Sequence, residues 1–182
     1  LMKLTDDGIS LITHFESLHD GDLSKLGAQP KMDPIGIWTV GYGRALRRPD
    51  GSWYKGEKDK AIVYKMYPSL TENDARVMLR ADLPIYEQAV LKMIKRRDLQ
   101  PHEFSALVSF CYNCGTHYRN SVGLKIPFKI WSMVDSYTTG EAMRSYWNTS
   151  VIKAGGKVLA GLARRRKSEA WYYTTGKLNF FQ

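Results

Sequence analysis

The chain has 182 residues, 43% of them apolar, and a net charge of +9. That length can bury one substantial core, and the apolar share excludes a disordered chain. The charge calls for polyanionic surroundings, either nucleic acid or a bacterial envelope with its phosphate and carboxylate polymers.

From the N-terminus, Lys3, Asp6, Asp7 and His14 interrupt every apolar run in residues 1–30, so no secretory leader is read there. No stretch reaches the roughly 20 apolar residues that span a bilayer. The expected location is the cytoplasm, unless another factor carries the protein out. Thr5 can cap a helix whose first turn holds Asp6 and Asp7, where the helix dipole favours acids. Leu11, Phe15 and Leu18 form its apolar stripe. Glu16 falls in the last turn, where negative charge is disfavoured. With partial burial that placement favours the protonated carboxyl, the form a general acid needs.

His19 to Lys31 is polar, with two glycines and a proline, and reads as a loop. After it comes Asp33-Pro34-Ile35-Gly36-Ile37-Trp38-Thr39-Val40-Gly41-Tyr42-Gly43-Arg44. Strand-forming residues, Ile35 and Ile37 among them, punctuated by glycines predict a tight hairpin with Asp33 at its mouth. Two carboxyls and a hydroxyl able to hold a water are the inventory for cutting a glycosidic bond. Pro49-Asp50-Gly51 predicts a further turn, and residues 55–65 a helix or connector.

Thr71-Glu72-Asn73-Asp74 opens a long helix with an acidic variant of the capping box, and Pro84 is expected to kink it. Pro101 starts another helix with Phe104, Leu107, Val108 and Cys111 inside and Gly115 as its stop. Cys111 and Cys114 lie in that apolar run and are expected as inert thiols rather than a disulfide or metal pair. Two helices, 128–137 and 139–147, are expected to be separated around Gly140. Gly155-Gly156 should break the chain before a last helix over about 159–173. In that helix Arg165 and Glu169 form an i,i+4 pair worth a few tenths of a kcal/mol.

Phe15-Glu16 and Asp-Pro-x-Gly-x-Trp-Thr-x-Gly-Tyr-Gly resemble the catalytic region of phage lysozymes, the endolysins of glycoside hydrolase family 24. The resemblance continues in Ser105 to Gly115 and in Gly161-Leu-Ala-Arg-Arg-Arg-Lys-Ser-Glu169. It implies a single α+β lysozyme-like domain: a small hairpin lobe over about 15–70 and a helical lobe over about 71–182. A long helix would join them, and the N-terminal helix would pack on the helical lobe. It further implies hydrolysis of the β-1,4 bond between N-acetylmuramic acid and N-acetylglucosamine in peptidoglycan, with inversion and without metal or cofactor. Glu16 would protonate the leaving oxygen, while Asp33 and Thr39 position or activate water. Ala45, Tyr112 and Asn113 match positions that contact substrate, although Tyr112 as core and Asn113 as a cap remain equally open.

The family places its second carboxylate nine residues after the glutamate, whereas Asp33 lies seventeen beyond Glu16. An insertion of about eight residues accounts for this, since surface loops absorb extra length cheaply. Asp20 and Asp22 are closer in sequence, but only Asp33 is followed by the motif. The resemblance also implies a monomer that acts on the anionic wall after a holin opens the membrane. The rivals are a lytic transglycosylase, which needs no Asp33 and Thr39 pair, and a nucleic-acid-binding protein using Arg164 to Lys167. No nucleic-acid module supports the latter.

Overall fold

Thr5 caps the first helix, α1 (Asp6–Glu16): its Oγ1 accepts from the Gly8 N–H at 2.9 Å. The computed structural model describes residues 2–182 and has a mixed α+β architecture. Contacts divide the chain into two compact units, Glu16–Asp82 and Leu1–Phe15 with Leu83–Gln182.

In the Glu16–Asp82 unit, β1 (Lys31–Met32), β2 (Trp38–Val40) and β3 (Arg44–Ala45) form an antiparallel sheet in that order. The β1–β2 turn follows from Asp33-Pro34-Ile35-Gly36. Aspartate opens the turn, proline presets the next φ, and Gly36 closes it at φ 86, which costs glycine nothing. The Gly36 N–H donates to Asp33 O at 2.9 Å. Ile35 stands at the exposed turn rather than in a strand. Trp38, Val40, Leu46 and Val63 make the core of this unit, flanked by Tyr54, Tyr64 and Met78. Val63 comes from α2 (Lys60–Met66), entered through a 3₁₀ turn.

The inserted loop is tied down at both ends. Asp20 Oδ1 accepts from the N–H groups of Asp22 and Gln29, and Gln29 Nε2 donates to Pro68 O at 2.6 Å. Gly21 passes so close that a Cβ there would sit 2.0 Å from Pro30 O. Helix α3 (Glu72–Met93) starts as the Thr71–Asp74 box predicts, with side chains and N–H groups exchanging bonds at 2.9 and 3.1 Å. Arg44 clamps β3 to α3 through two hydrogen bonds to Asp82, at 2.7 and 2.8 Å. The helix runs on through Pro84, and the division between the units falls within it.

In the other unit, α4 (Pro101–Cys114) is buried along Phe104 to Cys111 and capped by Gln100, with Glu103 returning to the Gln100 N–H. Thr5 Oγ1 also bonds Ser105 Oγ and Tyr172 OH, which ties the start of α1 to α4 and α7 (Ala160–Thr175). Phe110 packs edge-on against Phe128, Trp131 and Trp147. Trp131 lies on α5 (Ile130–Asp135) and Trp147 on α6 (Gly140–Thr149).

The structure departs from or adds to the sequence reading at four places. Gly140 does not separate two helices; at φ 57 it is the first residue of α6. Gly155-Gly156, both at positive φ, turn a hairpin of β6 (Lys153–Ala154) and β7 (Lys157–Val158) rather than simply breaking the chain. A second hairpin, β4 (His117–Arg119) with β5 (Lys125–Pro127), was not foreseen. The Arg165–Glu169 pair, expected as a modest helix stabiliser, is buried, at 3% and 0% exposed.

Candidate active site

Glu16 closes α1 half-buried, and the chain turns at once: Ser17 takes φ 57, a left-handed conformation unusual for a residue with a Cβ. That turn brings His19 to the end of β2, where its backbone N–H donates to Gly41 O, just past the strand, at 2.8 Å. Its Nδ1 lies 3.1 Å from Thr39 Oγ1. Thr39 is 6% exposed and also donates toward Lys31 O, its antiparallel partner, at 2.9 Å. Burial holds the His19 imidazole below its ordinary pKa; the Glu16 charge opposes that shift and Lys31 adds to it. Glu16, His19 and Thr39 are therefore electrostatic or hydrogen-bonded neighbours.

Asp33 is held by its own turn. Oδ1 accepts from the Ile35 N–H at 2.9 Å and the Ile37 N–H at 2.8 Å. Among the described residues no donor meets its second oxygen. The carboxylate is thus oriented by the backbone and keeps one oxygen for something else. Asp20 and Asp22 are differently employed. Asp20 organises the inserted loop, and Asp22 bonds the Ser24 hydroxyl and N–H, which lower its pKa, and pairs with Lys25.

Ala45 sits opposite Thr39 in the β2–β3 register. Directly paired residues project to the same face of a sheet, so Lys31, Thr39 and Ala45 form one row. Tyr112 and Asn113 belong to the other unit. Tyr112 is half-buried against the ring of Tyr86, with centroids 4.7 Å apart. Asn113 is exposed, and its Oδ1 accepts from Arg166 Nη2 at 3.0 Å. Cys111 and Cys114 are free, and burial raises both thiols, Cys111 to about 12.

His19 is the residue that sequence reasoning missed. Its only local signal is a place three residues after Glu16; the partner that matters is twenty positions on. Among the described residues no cluster of three His, Cys, Asp or Glu side chains forms a metal site. No helix there is long and apolar enough to cross a membrane.

A family model described as phage lysozyme matches residues 23–169, taking in Asp33, Thr39, Ala45, Tyr112 and Asn113 and starting after Glu16. The endolysin of Bacillus phage B103 is 28% identical over 178 residues, 97% of this chain but 56% of its own length. The chain therefore spans little more than half of that relative. The muramidase domain of SpmX from Asticaccaulis excentricus has a TM-score of 0.65 at 27% identity, covering 96% of this chain and 99% of that one. For the endolysin from Escherichia coli O157:H7 phage FAHEc1 the TM-score is 0.64 at 26% identity, covering 98% and 97%.

Proposed function

Because the chain belongs to the phage lysozyme family, we propose that it hydrolyses the β-1,4 bond between N-acetylmuramic acid and N-acetylglucosamine in peptidoglycan, as an endolysin. The observation that carries this reading is one compact unit holding Glu16, a backbone-oriented Asp33 with one open oxygen, and a pinned Thr39 hydroxyl. Glu16 gives its proton to the glycosidic oxygen as the bond from that oxygen to the anomeric carbon breaks. Water adds to the anomeric carbon from the opposite face, Thr39 orients it, and Asp33 receives its proton. The β bond yields an α product, so the reaction inverts. Ala45, beside Thr39, and Tyr112 with Asn113 are the proposed sugar contacts.

Asp33→Asn is expected to cost about 10²-fold or more in rate, the usual range for a missing acid–base group. Asp22→Asn should stay within about threefold of the parent, because Asp22 serves only its loop. Mass spectrometry of digested peptidoglycan should show reducing ends carrying one added water. Anhydro-muramic ends would replace the hydrolase by a lytic transglycosylase. A dead Asp22 variant beside an active Asp33 variant would reassign the second carboxylate.

The same reading makes the anionic envelope, rather than nucleic acid, the counterpart of the +9 charge. The rate on purified peptidoglycan should fall severalfold between about 0.02 and 0.5 M salt, because the Debye length drops below about 8 Å past 0.15 M. A flat response would remove electrostatic steering. In the infected cell the enzyme would act as a monomer, wait in the cytoplasm, and reach the wall once a holin opens the membrane.

A further inference from the structure

We propose that His19 is a positioning residue for this hydrolysis: its Nδ1–H fixes the Thr39 hydroxyl so that one lone pair is left for the attacking water. The inference rests on the function proposed above and adds a residue to it.

A hydroxyl carries one proton and two lone pairs. Among the described residues Thr39 Oγ1 has two hydrogen-bond partners, Lys31 O at 2.9 Å and His19 Nδ1 at 3.1 Å. The carbonyl can only accept, so satisfying it takes the hydroxyl's proton. Nδ1 must then be the donor, which selects the Nδ1–H tautomer of a neutral ring. Lys31 fixes the proton, His19 occupies one lone pair, and the second lone pair has a single direction. In a site where Thr39 is 6% exposed, that direction is where a water O–H can be received.

His19 is itself held for this task. Its N–H donates to Gly41 O at 2.8 Å, two residues beyond Thr39. The left-handed turn at Ser17, φ 57, lies between it and Glu16. The chain thus accepts backbone strain at Ser17 and then anchors His19 just past the end of the strand that carries Thr39. Among the described residues two charged groups act on the ring, Glu16 at the end of α1 and Lys31 on β1. Burial outweighs the Glu16 charge and keeps the imidazole neutral further into the acid range than a free histidine.

The test uses the full chain on purified peptidoglycan and compares His19→Ala, His19→Asn and His19→Gln, each alone and with Thr39→Val. Asparagine places an amide N–H close to the Nδ1 position, whereas glutamine places it near Nε2. His19→Ala and His19→Gln should lower kcat about tenfold with KM within about twofold, the pattern of a misoriented reacting group. His19→Asn should recover to within about threefold of the parent. In the Thr39→Val background the three His19 variants should differ by less than about twofold, because nothing remains to position. Thermal midpoints identify the folded variants, and if His19→Ala does not fold, the contrast between asparagine and glutamine decides. Equal kcat for asparagine and glutamine, or His19 effects that persist unchanged beside Thr39→Val, would overturn the role while leaving the hydrolase standing. A parent that releases no hydrolysed fragments would overturn both.

Discussion

Glu16→Gln is expected to remove lytic activity by about 10²–10⁴-fold while the protein stays folded. The amide keeps the shape and the hydrogen-bonding capacity of the carboxyl but has no proton to give to the glycosidic oxygen. Departure of an alkoxide from a sugar is slow without that proton, so the loss should appear in kcat rather than in KM. Folding should be spared because the substitution is isosteric and Glu16 is half-buried at the last position of α1. Turbidity loss of outer-membrane-stripped Gram-negative cells measures the activity, and far-UV circular dichroism checks the fold. Residual lysis within threefold of the parent would take the general acid away from Glu16.

The parts of the molecule legible in sequence are those decided by near neighbours. Thr5 with Gly8 and Thr71 with Asp74 each close a helix start within three residues, which a linear pattern captures. Asp33-Pro34-Ile35-Gly36 is a turn because of the residues it contains, so the orientation of Asp33 was written locally. The hairpins β4–β5 and β6–β7 escaped because strands of two or three residues carry no periodicity to read. His19 escaped because its contact with Thr39 closes over the inserted loop, and loop composition does not say where its ends return. Leu18 was counted in the α1 stripe, but the helix ends at Glu16, and Ile9, Leu11 and Ile12 are the buried aliphatics.

Arg165 and Glu169 show the strongest limit, since i,i+4 spacing is identical on a wet face and in a core, yet the energetic consequences differ by an order of magnitude. Glu169→Gln is expected to destabilise the protein by about 3–5 kcal/mol, the cost of removing one member of a buried ionic cluster. Glu169 is 0% exposed and faces two guanidinium groups. Its Oε1 accepts from Ser109 Oγ at 2.7 Å, Arg165 Nε at 3.0 Å and Arg166 Nη2 at 3.1 Å. Trp147 Nε1 donates to Oε2 at 3.2 Å, and Arg166 Nε stands 2.9 Å from the same oxygen without hydrogen-bond alignment. The amide can still serve Ser109 or Trp147, but it takes from Arg165 and Arg166 the carboxylate they share. For a chain of this size the midpoint of thermal unfolding should fall by about 6–20 °C. Replacing the whole cluster, as Arg165→Met, Arg166→Met and Glu169→Leu together, should recover most of that loss, because the buried guanidinium charges then go together with the carboxylate they share. A Glu169→Gln midpoint within about 2 °C of the parent would mean that water reaches the guanidinium groups and that the cluster does not brace α7 against α4.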